Sequence, residues 1–445
     1  MERNLSFSRW SNLWPWHYII LILVAVALAT TIAVKTHYRA HPDEYYHVDA
    51  FRYFEDNWWP PDLGSDEVIY SPQGWSRVYT GEIVYIVYGK LGQIIERVWH
   101  LGNRDYLVYR LLNAGLFLAT LTALFFSRCE FVNPVLLAIT FICIPQVHYI
   151  YAYANSDAWG LSMSVFLFLL AAAMSEKSMQ AWSWGEFGAL GALTGLLLVS
   201  KKPYLLALVL PYALLARRAI QAIRQGDVSV PQMLAKAIVL GALVVAVAAP
   251  LRVIYPLSQG DFEQAVERMR EAKAADEFKP SNATYETYRL ASKGETYYDM
   301  LIKRHWIELS LKSFYGLFGY MNVRNPAWIY NAAGFGALLG FCLTAFSTVK
   351  HWRNLHHDLR VSLILSLLIL LVNTGASIYR SLHVGFQPQG RYLFASLIPV
   401  ALMQTGTAHA EGVNLKTVRS ATFAVMYAIC IYSLIFVVVT NPALG

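Results

Sequence analysis

Eleven apolar stretches run through this chain and restrict its fold more than any other feature. They lie near residues 17–35, 106–126, 133–152, 157–174, 185–200, 203–216, 236–255, 327–348, 360–379, 391–408 and 420–440. An apolar run of about 20 residues is long enough for an α-helix to cross a bilayer. Only 15% of the residues are charged, whereas soluble globular domains are close to a quarter charged. The sequence therefore predicts an all-α polytopic membrane protein.

The net charge and the cysteine positions exclude some classes of protein. The net charge of +7 is explained by basic residues that set the membrane topology and that contact anionic lipid or phosphate. No basic soluble face is evident, so nucleic acid is not an expected partner. All four cysteines lie in or beside apolar stretches, and a disulfide framework is not expected.

Basic residues in the short loops predict the orientation. Arg217, Arg218 and Arg224 follow the sixth stretch, and residues 350–353 (KHWR) follow the eighth. The positive-inside rule assigns that side to the cytoplasm. The two long polar loops, 36–105 and 256–326, then face the opposite side together. Because no internal repeat or soluble domain is found, one transmembrane domain is expected over residues 1–445.

The outer loops are expected to contain amphipathic helices. Residues 80–99 are apolar but interrupted by charges, which is typical of a helix lying at the membrane interface. Residues 261–270 have a helical pattern with surface charges, and a more aromatic helix is expected over about 296–312.

Two carboxylates follow the first apolar stretch closely, in residues 41–47 (HPDEYYH). Pro42 suits the first turn of a new helix, where acidic residues are favoured by the helix dipole. In that helix His47 would share one face with Asp43 and Glu44. A well-capped juxtamembrane helix is the alternative interpretation of this motif.

Other charged groups cluster at the predicted outer ends of the helices. They are Asp157, Lys201, Lys202, Arg324, Arg380, His383 and Arg391. One outer surface then holds both carboxylates and cations, which suits a reaction between a lipid-linked phosphate and a water-soluble partner. For Asp157, a plain N-cap at the start of its helix is the preferred interpretation.

Four motifs in this order resemble a bacterial membrane family within the GT-C glycosyltransferase superfamily. They are residues 42–47 (PDEYYH), 200–204 (SKKPY), 313–320 (SFYGLFGY) and 389–393 (QGRYL), within a resemblance that extends from residue 17 to about 410. The resemblance implies a GT-C-like bundle of about 11 transmembrane helices in the bacterial inner membrane, with its active site on the periplasmic or extracellular face. It also implies inverting transfer of a sugar from a polyprenyl phosphate to a glycan, lipid or protein acceptor.

The chemistry of such a transfer assigns roles to the carboxylates. The attacking hydroxyl must lose a proton, and a positioned carboxylate can take it. Asp43 is the first candidate base and Glu44 the second. A helix N-terminus would lower the pKa of a carboxylate, which makes it a weaker base but a better metal ligand. The alternative is therefore that Asp43, Glu44 and His47 hold a divalent cation such as Mg²⁺ or Mn²⁺.

The leaving phosphate requires positive charge. Arg391, which follows Gly390, suits bidentate phosphate binding, and Lys201 and Lys202 are the next candidates. Interfacial snorkelling is the alternative explanation for the two lysines. Further candidate substrate-binding residues are His47, Tyr204, Arg324 and His383.

Two other functions compete with this hypothesis. A polysaccharide polymerase or ligase using polyprenyl-diphosphate saccharides would depend on a late outer loop, such as Arg380, His383 and Arg391, but would leave the PDE motif without a role. A lipid-sugar flippase or transporter would need polar groups across the bilayer, whereas the predicted membrane midplane carries almost no ionisable groups.

Overall fold

The computed structural model describes residues 15–100, 102–226, 230–282 and 289–444. These ranges contain α1 (Pro15–Lys35), α2 (Glu44–Asp56), α3 (Ile83–Trp99), α4 (Tyr106–Phe126), α5 (Pro134–Ile142), α6 (Pro145–Ile150), α7 (Asp157–Ser175), α8 (Trp184–Leu198), α9 (Val209–Gln225), α10 (Val230–Ala249), α11 (Tyr255–Ser258), α12 (Phe262–Lys273), α13 (Trp306–Gly316), α14 (Ala327–His351), α15 (His357–His383), α16 (Leu397–Thr405) and α17 (Val413–Tyr432). One antiparallel ladder pairs β1 (Leu317–Phe318) with β2 (Val323–Arg324). The all-α prediction is confirmed.

Eight helical segments of the described residues are long and apolar enough to cross a membrane. They are Trp16–Lys35, Tyr106–Phe126, Asp157–Ser175, Lys202–Gln225, Pro231–Ser258, Ala327–Asn354, His357–His383 and Val413–Val439. The segment of α7 is 83% buried, so α7 occupies the interior of the bundle. The protein is a multi-pass membrane protein, as predicted.

The number of 11 spans is not confirmed, because three expected spans are shorter than a membrane crossing requires. The stretch 133–152 is divided into α5 and α6, since Pro145 lacks the amide needed to continue a helix. The stretch 391–408 begins as a 3₁₀ helix, Gly390–Ser396, and α16 has only 9 residues. The third, 185–200, corresponds to α8 with 15 residues.

The loop helices are found with one correction. The segments expected at 80–99 and 261–270 correspond to α3 and α12. The single helix expected over 296–312 is wrong. His305 adopts a left-handed conformation with φ +56°, which separates a π-helical turn from α13. Buried Trp306 begins α13 and donates from its Nε1 to Ser381 Oγ at 2.8 Å, so tertiary packing sets this break.

Both long loops lie at the same end of the bundle, which we call the Asp43 end. The loops touch directly, because the Ala275 amide donates to the Pro72 carbonyl at 2.9 Å. The C-terminal region reaches this end as well, since the His37 amide donates to the Leu444 carbonyl at 2.7 Å.

Basic residues stabilise the opposite end, which we call the Asp358 end. There Arg217 on α9 pairs with Asp358 on α15. Lys236 on α10 donates to the Trp182 carbonyl just before α8, at 2.6 Å. The short basic loops that predict a cytoplasmic side are at this end.

Candidate functional site

Asp43 is the accessible carboxylate of the first loop. Its backbone is left-handed, with φ +59°, and α2 begins only after it, at Glu44. Pro42 therefore precedes the helix and is not in its first turn, contrary to expectation. A non-glycine residue in this conformation costs on the order of 1–3 kcal/mol, and such strain tends to occur at functional sites. The side chain is 40% exposed and accepts a hydrogen bond from Arg77 Nη2 at 3.2 Å.

Arg391 lies against the same carboxylate. Its Nη2 is 3.7 Å from Asp43 Oδ2, and the guanidinium also donates to Gln389 Oε1 at 2.7 Å and Tyr153 Oη at 3.1 Å. Only 9% of the side chain is exposed. These three contacts fix the position of the Arg391 guanidinium at the Asp43 end.

The glycine before Arg391 is required by a close backbone approach. A Cβ on Gly390 would lie 2.0 Å from the Phe314 amide nitrogen on α13. The Gly390 amide instead donates to Ser313 Oγ at 2.5 Å. The motifs at 313–320 and 389–393 are therefore in direct contact, and this contact positions Arg391.

A buried ion pair lies behind this group. Lys201 Nζ is 2.9 and 2.8 Å from the two carboxylate oxygens of Asp157, which is 1% exposed. Asn155 Oδ1 accepts from the amides of Asp157 and Ala158 at the start of α7. The expected N-cap role of Asp157 is therefore wrong, since its carboxylate binds Lys201 while Asn155 caps the helix.

Three cations surround His47 at this end; we call Arg77, Lys201 and Arg391 the basic cluster. Burial lowers the pKa of His47, and the charges of the basic cluster lower it further. The neutral imidazole shares a hydrogen bond between its Nδ1 and the Tyr85 hydroxyl, at 2.7 Å. His47 thus packs under the cluster, and its imidazole hydrogen-bonds Tyr85 and not the carboxylates of Asp43 and Glu44.

A cavity of about 160 Å³ opens beside Asp43. The lining comes from the first loop, α6 and the residues after it, α13, the β1–β2 hairpin and the segment before α16. The residues are Pro42, Asp43, Gln146, Tyr149, Tyr153, Ser313, Leu317, Gly319, Tyr320, Met321, Gln389, Gly390 and Arg391. Tyr320 is 59% exposed at its mouth. Three of the four motifs contribute to this wall.

A chain of hydrogen bonds connects the wall to residues 41–47. The Gly319 amide, at φ +58°, donates to Tyr149 Oη at 2.9 Å. Tyr149 Oη lies 2.7 Å from His41 Nδ1, and His41 Nε2 lies 2.8 Å from Thr36 Oγ1. Burial and the charge of Arg110 lower the pKa of His41, so the imidazole is neutral. These hydrogen bonds therefore fix the position of the β1–β2 turn relative to the loop that carries Asp43.

Glu44 has a structural environment, which corrects its assignment as a second base. Its carboxylate is 0% exposed and accepts two hydrogen bonds from Arg110, both at 2.7 Å. The amides of Arg39 and Ala154 donate to it as well, at 3.2 and 3.3 Å. All of its acceptor capacity is used inside the protein, so it has no access to a substrate hydroxyl.

The expected metal site of Asp43, Glu44 and His47 is not formed by these side chains. Asp43 points to the cavity, Glu44 to Arg110 and His47 to Tyr85. The described residues contain no group of three or more His, Cys, Asp or Glu side chains that could hold a metal ion.

The other candidates lie away from the cavity. Lys202 and Arg324 are exposed, and His383 contacts Tyr297 and Tyr379 at the end of α15. Tyr204 is buried against Gly160 on α7. The structure thus brings together Asp43, Lys201 and Arg391, and it does not bring Lys202, Arg324 or His383 to them.

Several residues of the site were missed from the sequence. Arg77, Gln146, Tyr149 and Tyr153 have no distinguishing local pattern. Arg110 does have one, because a charged residue inside an apolar stretch is costly and usually functional or paired.

This arrangement defines a polytopic membrane protein with a carboxylate and a basic cluster around a cavity at one end of the bundle. A family model described as predicted membrane protein (DUF2142) matches residues 73–401. The chain belongs to this family, which agrees with the bacterial membrane family expected from the motifs. A search of curated proteins finds no match to the sequence.

Two solved structures of ArnT from Cupriavidus metallidurans are similar to this chain. The structure bound to undecaprenyl phosphate has 12% sequence identity and a TM-score of 0.37, over 94% of this chain and 78% of ArnT. The apo structure has the same identity and TM-score, over 88% of this chain and 78% of ArnT.

Proposed function

We propose that this protein is an inverting glycosyltransferase of the GT-C type. It would transfer a sugar from a polyprenyl phosphate to a glycan, lipid or protein acceptor on the periplasmic or extracellular face of the inner membrane. The observation that carries this proposal is the accessible Asp43 carboxylate beside Arg77 and Arg391 at a cavity. A base and a phosphate-binding cation are the two groups that such a transfer requires.

Asp43 is the proposed general base. Its side chain lines the cavity and is 40% exposed, so an acceptor hydroxyl can reach it. The hydrogen bond from Arg77 orients the carboxylate. When the hydroxyl attacks the sugar carbon, Asp43 takes its proton, the carbon–oxygen bond to the phosphate breaks, and the lipid phosphate leaves with the electron pair.

The basic cluster is the proposed phosphate site. A departing lipid phosphate needs no proton, but its negative charge is stabilised by fixed donors. Arg391 has the better position for direct contact, because it lines the cavity. Lys201 is held by Asp157 behind Arg391. Its proposed role is to add positive charge near the phosphate without contacting it directly.

The position of Asp43 favours the glycosyltransferase over a polymerase that uses polyprenyl-diphosphate saccharides. Such a polymerase would leave the PDE motif without a role, whereas Asp43 of this motif lines the cavity beside Arg391.

A divalent cation held by Asp43, Glu44 and His47 is not part of this proposal. Asp43 is the one acidic residue among those lining the cavity. The positive charges of the nearby arginines would repel a divalent cation. Transfer should therefore persist in the presence of a chelator. Loss of transfer that Mg²⁺ or Mn²⁺ restores would show that substrate and Asp43 together recruit a metal.

Envelope glycans provide the test of the proposed function. Glycans and glycolipids from cells with the wild-type protein, Asp43→Asn or no protein would be compared by mass spectrometry. We expect products lighter by one sugar residue in the latter two. Asp66→Asn is the matched control, because this carboxylate lies in the same loop and is 95% exposed. Identical glycans in all strains would overturn the proposal.

A further inference from the structure

A second, larger cavity lies at the Asp358 end, between α9 and α15. This groove has a volume of about 540 Å³. Its polar residues are Arg217, Gln221, Arg224, Gln225 and His357, and Ala213 and Ile220 contribute to its apolar wall. We call it the Arg217 groove. It is at the opposite end of the bundle from Asp43, so the proposed transfer reaction does not use it.

The Arg217 groove carries uncompensated positive charge. Arg217 pairs with Asp358, which is buried. Arg224 is exposed and takes part in none of the ion pairs formed by the described residues. The Arg217 side chain is 24% exposed, so part of its positive charge also faces the groove. An anionic ligand with hydrogen-bond acceptors would complement this charge.

The apolar wall distinguishes a lipid from a free anion. The groove lies at the end of the candidate span Lys202–Gln225 and at the start of His357–His383, where a bilayer meets water. Ile220 is 51% exposed beside the arginines. A free phosphate would contact only the cationic part and leave this side chain uncovered. A ligand with an anionic head and acyl chains would cover both parts.

We propose that the Arg217 groove binds the headgroup of an anionic glycerophospholipid. Arg224 donates to the lipid phosphate, Arg217 adds positive charge beside it, and Ile220 and Ala213 contact the upper acyl chain. Basic pockets between transmembrane helices on the cytoplasmic side are suited to such headgroups. The groove is at the end that the positive-inside rule assigns to the cytoplasm.

Lipid binding to the purified full-length protein tests this proposal. Delipidated protein in a neutral detergent is titrated with dioleoyl phosphatidylglycerol, dioleoyl phosphatidylcholine or inorganic phosphate, and bound lipid is counted by native mass spectrometry. We expect saturable binding of phosphatidylglycerol at one site and none of the other two. Arg224→Gln should weaken this binding about five-fold, as expected for the loss of one basic group at a lipid surface.

Lys350→Gln is the matched control, because Lys350 is an exposed basic residue at the same end and does not line the groove. It should bind phosphatidylglycerol as the wild type does. Equal binding of phosphatidylcholine, equal binding of inorganic phosphate, or equal weakening by Lys350→Gln and Arg224→Gln would each overturn the proposal. Arg224 is exposed, and the thermal midpoint of Arg224→Gln should match that of the wild type. A lowered midpoint would show that Arg224 is structural and also count against the assignment.

Discussion

Arg110 on α4 donates to both carboxylate oxygens of Glu44 at the start of α2, at 2.7 Å each. The same guanidinium donates to the carbonyl oxygens of Ala33, Thr36 and His37 at the end of α1, at 2.7, 2.8 and 3.0 Å. Neither charged side chain is exposed. This pair therefore fixes the loop between α1 and α2, and Asp43 takes its position from that loop.

Glu44→Gln should destabilise the protein strongly. Removing one partner of a buried ion pair leaves the other charge uncompensated, which costs about 3–5 kcal/mol. The expected result is a clear fall in the thermal midpoint of the detergent-solubilised protein. Asp66→Asn removes an exposed carboxylate and should leave the midpoint almost unchanged. The double variant Glu44→Met with Arg110→Met should recover part of the loss, and a double variant no better than Glu44→Gln would contradict this account of the pair.

Substitution of Asp43 should abolish activity without lowering the stability of the protein. Asp43→Asn and Asp43→Gly should both abolish sugar transfer, because neither side chain can take the proton. Asparagine and especially glycine tolerate the left-handed conformation found here, and the side chain is 40% exposed. The thermal midpoint should therefore not fall in either variant. Substantial transfer by either variant, measured on the envelope glycans, would remove Asp43 as the base.

Arg391→Lys should weaken donor binding while keeping the charge. Lysine lacks the fork that holds Gln389, Tyr153 and Asp43 at once, and a lost charge-assisted contact costs roughly 1.5–3 kcal/mol. The dissociation constant for a short-chain polyprenyl phosphate, the lipid part of the proposed donor, should rise by about one to two orders of magnitude, as titration of the purified protein would measure. Lys202→Gln is the matched control, since Lys202 is exposed. Unchanged binding in Arg391→Lys would leave Arg391 as a structural anchor only.

Sequence reasoning located the elements better than the contacts between them. Apolar length and motif order predicted the helices and the shared end of Asp43, Lys201 and Arg391, because these depend on local pattern. The partner of Glu44 is 66 residues away in the sequence, and no local pattern predicts such a contact. Asp43 was expected inside a helix with Pro42 in its first turn, but α2 begins at Glu44 and Asp43 precedes it in a left-handed conformation.

Accessibility in intact cells tests the orientation. Single cysteines at positions 66, 279 and 225 would be introduced into a variant without the exposed Cys342. Sites 66 and 279 lie in the two loops at the Asp43 end and should react with a membrane-impermeant thiol reagent. Site 225 lies at the Asp358 end and should react only after the cells are opened. Reaction at site 225 in intact cells would reverse the orientation and place the proposed active site inside.

Acidification should destabilise the fold through His41 and His47. Burial lowers the pKa of both imidazoles in the folded protein, while the unfolded value is about 6.5. As the pH falls below about 6.5, the unfolded state takes up protons that the folded state does not, so the free energy of unfolding decreases. The thermal midpoint should therefore drop between about pH 6.5 and 5. His47→Gln should reduce this pH dependence, whereas His357→Gln, which removes an exposed imidazole, should preserve it. A midpoint that falls equally with pH in the wild type and in His47→Gln would show that His47 does not contribute.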